Sequence, residues 1–195
     1  MMKAATMGAT AAVLLFASVG SAGVLFDFES GPQGWGSFGA PTTDSGMIPD
    51  GSVGQGRFHS ADFGLGGWGI IDVSPAGVDL SAYTGLSVDA RWRDIPGYTP
   101  ITGVAELDIG IEVAGVEYYA PAVTLTSEYQ TLSIDFAAIA PGVDLSSSII
   151  KLRILSAPTG GTGIGEFNYD QITGIPEPAS LVLMSLGLLI AARRR

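Results

Sequence analysis

The 195-residue sequence contains no cysteine, a single histidine, and only 9 basic residues against 19 acidic ones. It also lacks an apolar run long enough to cross a membrane comfortably. Each absence excludes something. Without cysteine there are no disulfides and no thiolate metal centre. The lone His59, in GRFHSAD (56–62), reads as a loop residue, and its neighbours Ser60 and Asp62 do not make a triad, because nucleophile, base and orienter must converge in space. Pairs of carboxylates for glycoside hydrolysis can always be found in so acidic a chain and decide nothing. The protein reads as a non-enzyme.

The two ends differ from the middle. Met1-Met2-Lys3, a mostly apolar stretch over 4–19 and the small residues Gly20-Ser21-Ala22 form a secretory signal peptide pattern over 1–22, with cleavage after Ala22. At the other end stands IPEPASLVLMSLGLLIAARRR (175–195). Its apolar run, Leu181 to Ala192, is 12 residues long. As a helix it spans about 18 Å, against about 30 Å of bilayer hydrocarbon. Three arginines after the run favour the cytoplasmic side and leave the preceding domain outside.

Between the ends lies one domain, 23–175, large enough to bury a core. It keeps 5 basic and 18 acidic residues, a formal charge of −13. Such a surface repels phosphate backbones, so nucleic acid is excluded as a partner. It suits cations and neutral ligands, or serves solubility alone.

The domain reads as β-structure. In LSVDARW (86–92), Leu86, Val88, Ala90 and Trp92 alternate with Ser87, Asp89 and Arg91. In AELDIGIEV (105–113), Leu107, Ile109, Ile111 and Val113 alternate with Glu106, Asp108, Gly110 and Glu112. This is the period of strands with one buried face. Similar segments lie at 24–29, 68–73, 116–125, 129–136, 149–155 and 166–172, with Thr173 as the expected end of the last. Val113-Ala114-Gly115-Val116 predicts a hairpin, and a short helical turn is expected near Phe136–Ala140. The expected fold is all-β: a single antiparallel two-sheet sandwich.

The phrases VLFDFESGPQGW (24–35), VDLSAYTGLSVDARW (78–92), YQTLSIDFAAI (129–139) and IGEFNYDQITGI (164–175) occur in an order that resembles jelly-roll, carbohydrate-binding-module-like (galactose-binding-like) domains. The resemblance implies non-catalytic polysaccharide binding. It also implies a structural Ca2+ between the first and last strands, at Glu29 and Asp170, with Asp27 a weaker candidate. Otherwise all three are solvated strand-edge acids. Hard cations take oxygen ligands of this kind.

Trp35, Trp68 and Tyr119 are candidate sugar platforms, since the C–H face of a sugar lies well on a flat ring. Core packing is the alternative. Arg91 is a candidate for holding a ligand carboxylate or hydroxyls, or else pairs with Asp89 or Asp94. A structural or adhesive matrix protein with no glycan ligand is the competing functional class.

The tail, 176–195, has a resemblance of its own. Pro176-Glu177-Pro178, a short apolar helix and Arg193-Arg194-Arg195 together resemble the PEP-CTERM sorting signal of Gram-negative bacteria. That resemblance implies passage through the secretion machinery and a transmembrane intermediate in the inner membrane. An exosortase-type enzyme would then act near the motif, in a setting of cell surface, extracellular matrix or biofilm.

Overall fold

A computed structural model describes residues 22–38, 42–62, 70–100, 104–156 and 164–177. These residues belong to a β unit, Ser21–Glu177. The strands are β1 (Gly23–Phe26), β2 (Gly36–Phe38), β3 (Thr42–Ile48), β4 (Gly56–Asp62), β5 (Ile70–Val73), β6 (Tyr83–Asp94), β7 (Ala105–Val113), β8 (Val116–Tyr119), β9 (Val123–Thr124), β10 (Gln130–Asp135), β11 (Ile149–Ser156) and β12 (Ile164–Pro176). One short helix, α1 (Phe136–Ile139), is capped by the Asp135 carboxylate, which accepts from Ala137 N.

The strands form two antiparallel sheets, as the jelly-roll reading requires. In sheet A the order is β10-β6-β12-β4-β3, with β1 also paired to β12; in sheet B it is β2-β5-β11-β7-β8, with β9 also paired to β7. The alternating segments became the long inner strands because each buries one face. Leu86, Val88, Ala90, Trp92, Phe167 and Tyr169 of sheet A meet Leu107, Ile109, Ile111, Ile150, Leu152 and Ile154 of sheet B in one core. Trp92 is a core residue, as its alternation indicated.

Three elements depart from the sequence reading. His59 lies on β4, in register with Ser45 and Phe167, rather than on a loop. β2, β3 and β4 (GSF, TTDSGMI, GRFHSAD) are strands despite their glycines and polar residues. Pairing with β5 and β12 supplies what intrinsic propensity does not. The last strand also continues beyond Thr173: Gly174, Ile175 and Pro176 pair with Leu86, Gly85 and Tyr83. Proline is tolerated at a strand's final position, where its missing N–H breaks no continuing ladder. Its carbonyl still accepts from Thr84 Oγ1.

The β7–β8 hairpin forms as expected, with Val113 opposite Val116. Both turn residues are left-handed, Ala114 at φ 51° and Gly115 at φ 80°. A two-residue turn of this hand suits the strand twist, but Ala carries a steric cost there that Asn or Gly does not. Replacing Ala114→Asn is expected to stabilise the protein by about 0.5 kcal/mol. Thermal melting should show a rise of roughly 1–2 °C.

Candidate functional site

Two regions of the sandwich gather the groups that could hold a ligand. The first lies where β1 and β12 meet the loop between β3 and β4. β1 ends at Phe26, and Phe28 takes a left-handed φ of 58°. Strand alternation therefore stops, and Phe28 turns into the core while Glu29 sits in an exposed turn. On β12 the pairing with β6 is interrupted after Asp170, beside Gln171 at φ 47°. Left-handed backbone at residues other than glycine is uncommon. Here it flanks both carboxylates.

Those carboxylates share one loop. Glu29 Oε1 accepts from Gln55 N at 3.0 Å. Asp170 Oδ2 accepts from Val53 N at 3.0 Å and Ser52 Oγ at 3.2 Å, and its Oδ1 accepts from Gln171 N at 2.7 Å. Ser52 Oγ also lies 2.8 Å from Asp89 Oδ2, so it bridges two acids. Gly54, at φ 70°, makes room for Glu29: a Cβ there would stand 1.9 Å from Glu29 Oε1.

Asp170 is fully buried, and no Lys or Arg is among its partners in the described residues. Burial pushes its carboxyl above the usual range, and the nearby Glu29 charge adds to that against the hydrogen bonds. Carboxylate oxygens are the ligands a hard cation takes, but the partners these two now have are three backbone N–H groups and the Ser52 hydroxyl. Among the described residues, however, no group of three or more His, Cys, Asp or Glu comes close enough to hold a metal by side chains alone. Asp27 is not part of the arrangement. Its Oδ1 accepts from Gln33 Nε2 at 2.7 Å and from Glu29 N at 3.2 Å, closing a local turn.

The same loop is clasped on the outer face of sheet A. Asp50 Oδ2 accepts from Arg91 Nη2 at 2.8 Å and Arg93 Nη1 at 2.9 Å, and Asp50 O accepts from Tyr129 Oη at 3.2 Å. Burial works against ionisation of Asp50, but the two guanidinium groups outweigh it and hold its carboxyl below the usual value. Arg91 also donates from Nε to Asn168 Oδ1 at 3.0 Å and lies 4.3 Å from the centroid of the Tyr129 ring. The ligand role expected of Arg91 therefore gives way to a structural one. Its partner is Asp50, from a distant loop, rather than either of the nearby acids considered from sequence.

The second region is the outer face of sheet B. Alternation sends Asp108 and Glu112 from β7, and Lys151 and Arg153 from β11, to this face. Lys151 Nζ pairs with Glu112 and Glu117. Arg153 Nε donates to both Asp108 oxygens, at 3.0 and 3.1 Å. Burial lifts the Asp108 carboxyl above the usual range even though Arg153 pulls it down.

Tyr119 belongs to this face. Its ring lies across Gly110, where a Cβ would stand 2.4 Å from ring carbon Cδ1, and the Arg153 guanidinium sits 3.9 Å from its centroid. Burial, with the Glu117 charge, pushes its hydroxyl up to about 12. A recess of about 420 Å³ adjoins these groups, lined by Ile71, Val73, Ile149, Glu112 and Lys151 with Ser74 and Ala76.

The expected platform at Trp35 is overturned. The residue is 6% exposed and packs edge-on against Phe26 at 5.4 Å and Phe28 at 5.8 Å, with Tyr169 at 5.6 Å. A ring so enclosed offers no face to a sugar. Trp68, Pro178, Arg193, Arg194 and Arg195 lie outside the described residues. So do most of the expected signal segment and the expected apolar helix. Ala22 is exposed just before β1, and Glu177 is exposed just after β12. Among the described residues no helix is long and apolar enough to cross a membrane.

Sequence reasoning missed Asp50, Lys151, Arg153 and Glu117. Their side chains acquire meaning only once strand order is known, although alternation alone places Lys151 and Arg153 on one face.

Comparison with known proteins agrees with both parts of the chain. The PEP-CTERM protein-sorting motif matches residues 174–195. The tail thus carries a signal of exported proteins sorted to the cell envelope or surface. No curated protein matches the sequence.

Among solved structures, the sandwich is similar to the Caldicellulosiruptor saccharolyticus carbohydrate-binding module CBM27-1 in complex with mannohexaose. The TM-score is 0.58 at 10% identity, covering 79% of this chain and 97% of that one. It is also similar to the family 11 carbohydrate-binding module from Clostridium thermocellum in complex with a β-1,3-1,4-mixed-linked tetrasaccharide. There the TM-score is 0.52 at 21% identity, covering 78% and 94%. A third similar fold is the K1 cleaved adhesin domain of Lys-gingipain from Porphyromonas gingivalis W83, with a TM-score of 0.53 at 12% identity, covering 78% and 96%. The fold is that of the carbohydrate-binding-module sandwiches. Identities this low establish the fold alone.

Because Trp35 is core, Trp35→Ala is expected to cost about 3–5 kcal/mol of stability. Denaturant unfolding would measure the loss.

Proposed function

We propose that the sandwich is a non-catalytic polysaccharide-binding module of an exported protein, with the outer face of sheet B as its binding surface. The observation that carries this reading is the recess beside Lys151 and Glu112, on the same outer face as Glu117 and Tyr119 of a carbohydrate-binding-module fold. Carboxylates accept hydrogen bonds from sugar hydroxyls, and the Tyr119 edge and aliphatic floor supply apolar contact. The acidic surface favours a neutral glycan.

The adhesive or structural alternative draws support from the enclosure of Trp35 and the engagement of Arg91, which remove two expected sugar contacts. The likeness to an adhesin domain is compatible with it.

In the same reading Ca2+ binds where Glu29 and Asp170 meet the 51–55 loop. The two carboxylates would be joined by backbone oxygens or water, and the ion would supply charge compensation for a buried acid. Affinity electrophoresis through mixed-linkage β-glucan, glucomannan and xylan, with calcium and with EDTA, is expected to show retardation by at least one polymer. Glu117→Gln and Tyr119→Ala should weaken it; retardation by none would leave the adhesive reading.

Thermal melting of the same samples should show calcium raising Tm in wild type and not in Asp170→Asn. In EDTA the sign for Asp170 follows from its raised carboxyl. Its stabilising contribution is complete below the unfolded-state value and is lost as pH rises through the folded one. Relative to wild type, Asp170→Asn should therefore gain stability as pH rises through that window.

The tail, in this proposal, is processed by an exosortase-type enzyme near Pro176-Glu177-Pro178 in a Gram-negative envelope. The mature protein then joins the cell surface or matrix. Intact-mass measurement of the envelope or secreted form should find the residues after the motif missing. A full-length mass would overturn the processing step.

A further inference from the structure

We infer that the recess on sheet B accepts an acyl-substituted sugar, with an O-acetyl group the simplest case; this rests on the polysaccharide reading of the same face. The chemistry of the lining argues for it. The apolar part consists of Ile71, Val73, Ile149 and Ala76, with no aromatic ring. Unsubstituted sugars present their C–H faces to flat rings. Branched aliphatic side chains on a pleated sheet instead leave a hollow that suits a methyl group.

The polar part selects the rest of the substituent. Lys151 is 8% exposed, and its ammonium has three N–H donors. Glu112 and Glu117 take two of them, leaving one for an acceptor at the recess. Two carboxylates already outweigh the single positive charge. An anionic substituent such as a uronate or sulfate would meet net negative charge and is disfavoured. A neutral carbonyl is not. An ester carbonyl on Lys151 with its methyl against Val73 and Ile149 satisfies both halves of the lining, whereas a free hydroxyl would satisfy only the donor. A recess of about 420 Å³ has room for the sugar ring that carries the group.

The test uses matched polymers. Glucomannan, xylan and mixed-linkage β-glucan are prepared in O-acetylated form and again after mild alkaline de-esterification, all in calcium. The acetylated form of at least one polymer is expected to bind about tenfold more tightly, the gain from burying one methyl and making one charged hydrogen bond. Val73→Thr, which keeps the shape of the side chain but places a hydroxyl in the hollow, should reduce that preference several-fold. The preference is read as the ratio of the variant's own affinities for the two forms, and its melting curve should stay close to wild type.

Equal binding of both forms, or a preference that Val73→Thr does not alter, overturns the acyl inference and leaves the polysaccharide reading intact. Binding of no polymer in either form overturns both.

Discussion

A buried carboxylate with no basic partner among the described residues constrains much of sheet A. Asp170 sits on β12, which pairs with β6 and β4 and, near its C-terminal end, with β1. It is fully buried, so its charge must be met by oriented donors or abandoned. The donors come from Ser52, Val53 and Gln171, which fixes the 51–55 loop over the strand. Once that loop is placed, Gln55 N reaches Glu29 and Asp50 reaches Arg91, Arg93 and Tyr129. One desolvated acid thereby links the first strand, the two long strands β6 and β12, and the approach to β10.

The two outer faces use charge differently. On sheet A the arginines are spent on holding a loop, with Arg93 shared between Asp50 and Glu166. The ionic groups there are structural furniture. On sheet B the pairs lie across neighbouring strands, Arg153 with Asp108 and Lys151 with Glu112, and they border an aliphatic hollow. Asp108 and Lys151 are themselves buried, so these pairs offset a desolvation cost rather than add much net stability. Their value on sheet B lies in presenting donors and acceptors in fixed positions at the edge of an apolar floor.

Much of this fold was legible from alternation, because β6, β7, β10 and β11 each bury one face and show it in sequence. β2 to β4 were not, since TTDSGMI and GRFHSAD gain their strand character from neighbours rather than from their own residues. At the candidate sites, the resemblance singled out Glu29 and Asp170, and both accept hydrogen bonds from the 51–55 loop. It assumed that alternation continued past Phe26, and the left-handed Phe28 ended it. Of the two readings open for Trp35, sugar platform and core, the structure takes the core one, because the ring turns inward onto Phe26, Phe28 and Tyr169. Arg91 was misread because its partner lies 41 residues away, beyond any local pattern.

The last strand's end has a mechanical consequence. Pro176 is both the final paired residue of β12 and the first residue of Pro176-Glu177-Pro178, inside the sorting match over 174–195. Only Glu177 to Ser180 separate it from the apolar run that begins at Leu181. Even fully extended, that stretch of chain spans at most about 18 Å. Whatever grips the apolar run is therefore no further than that length of chain from Pro176. An enzyme acting at the motif must work against the rim of a finished β-sheet, or peel Pro176 from Tyr83 to gain room. In the proposed processing, the fold and the motif share one proline.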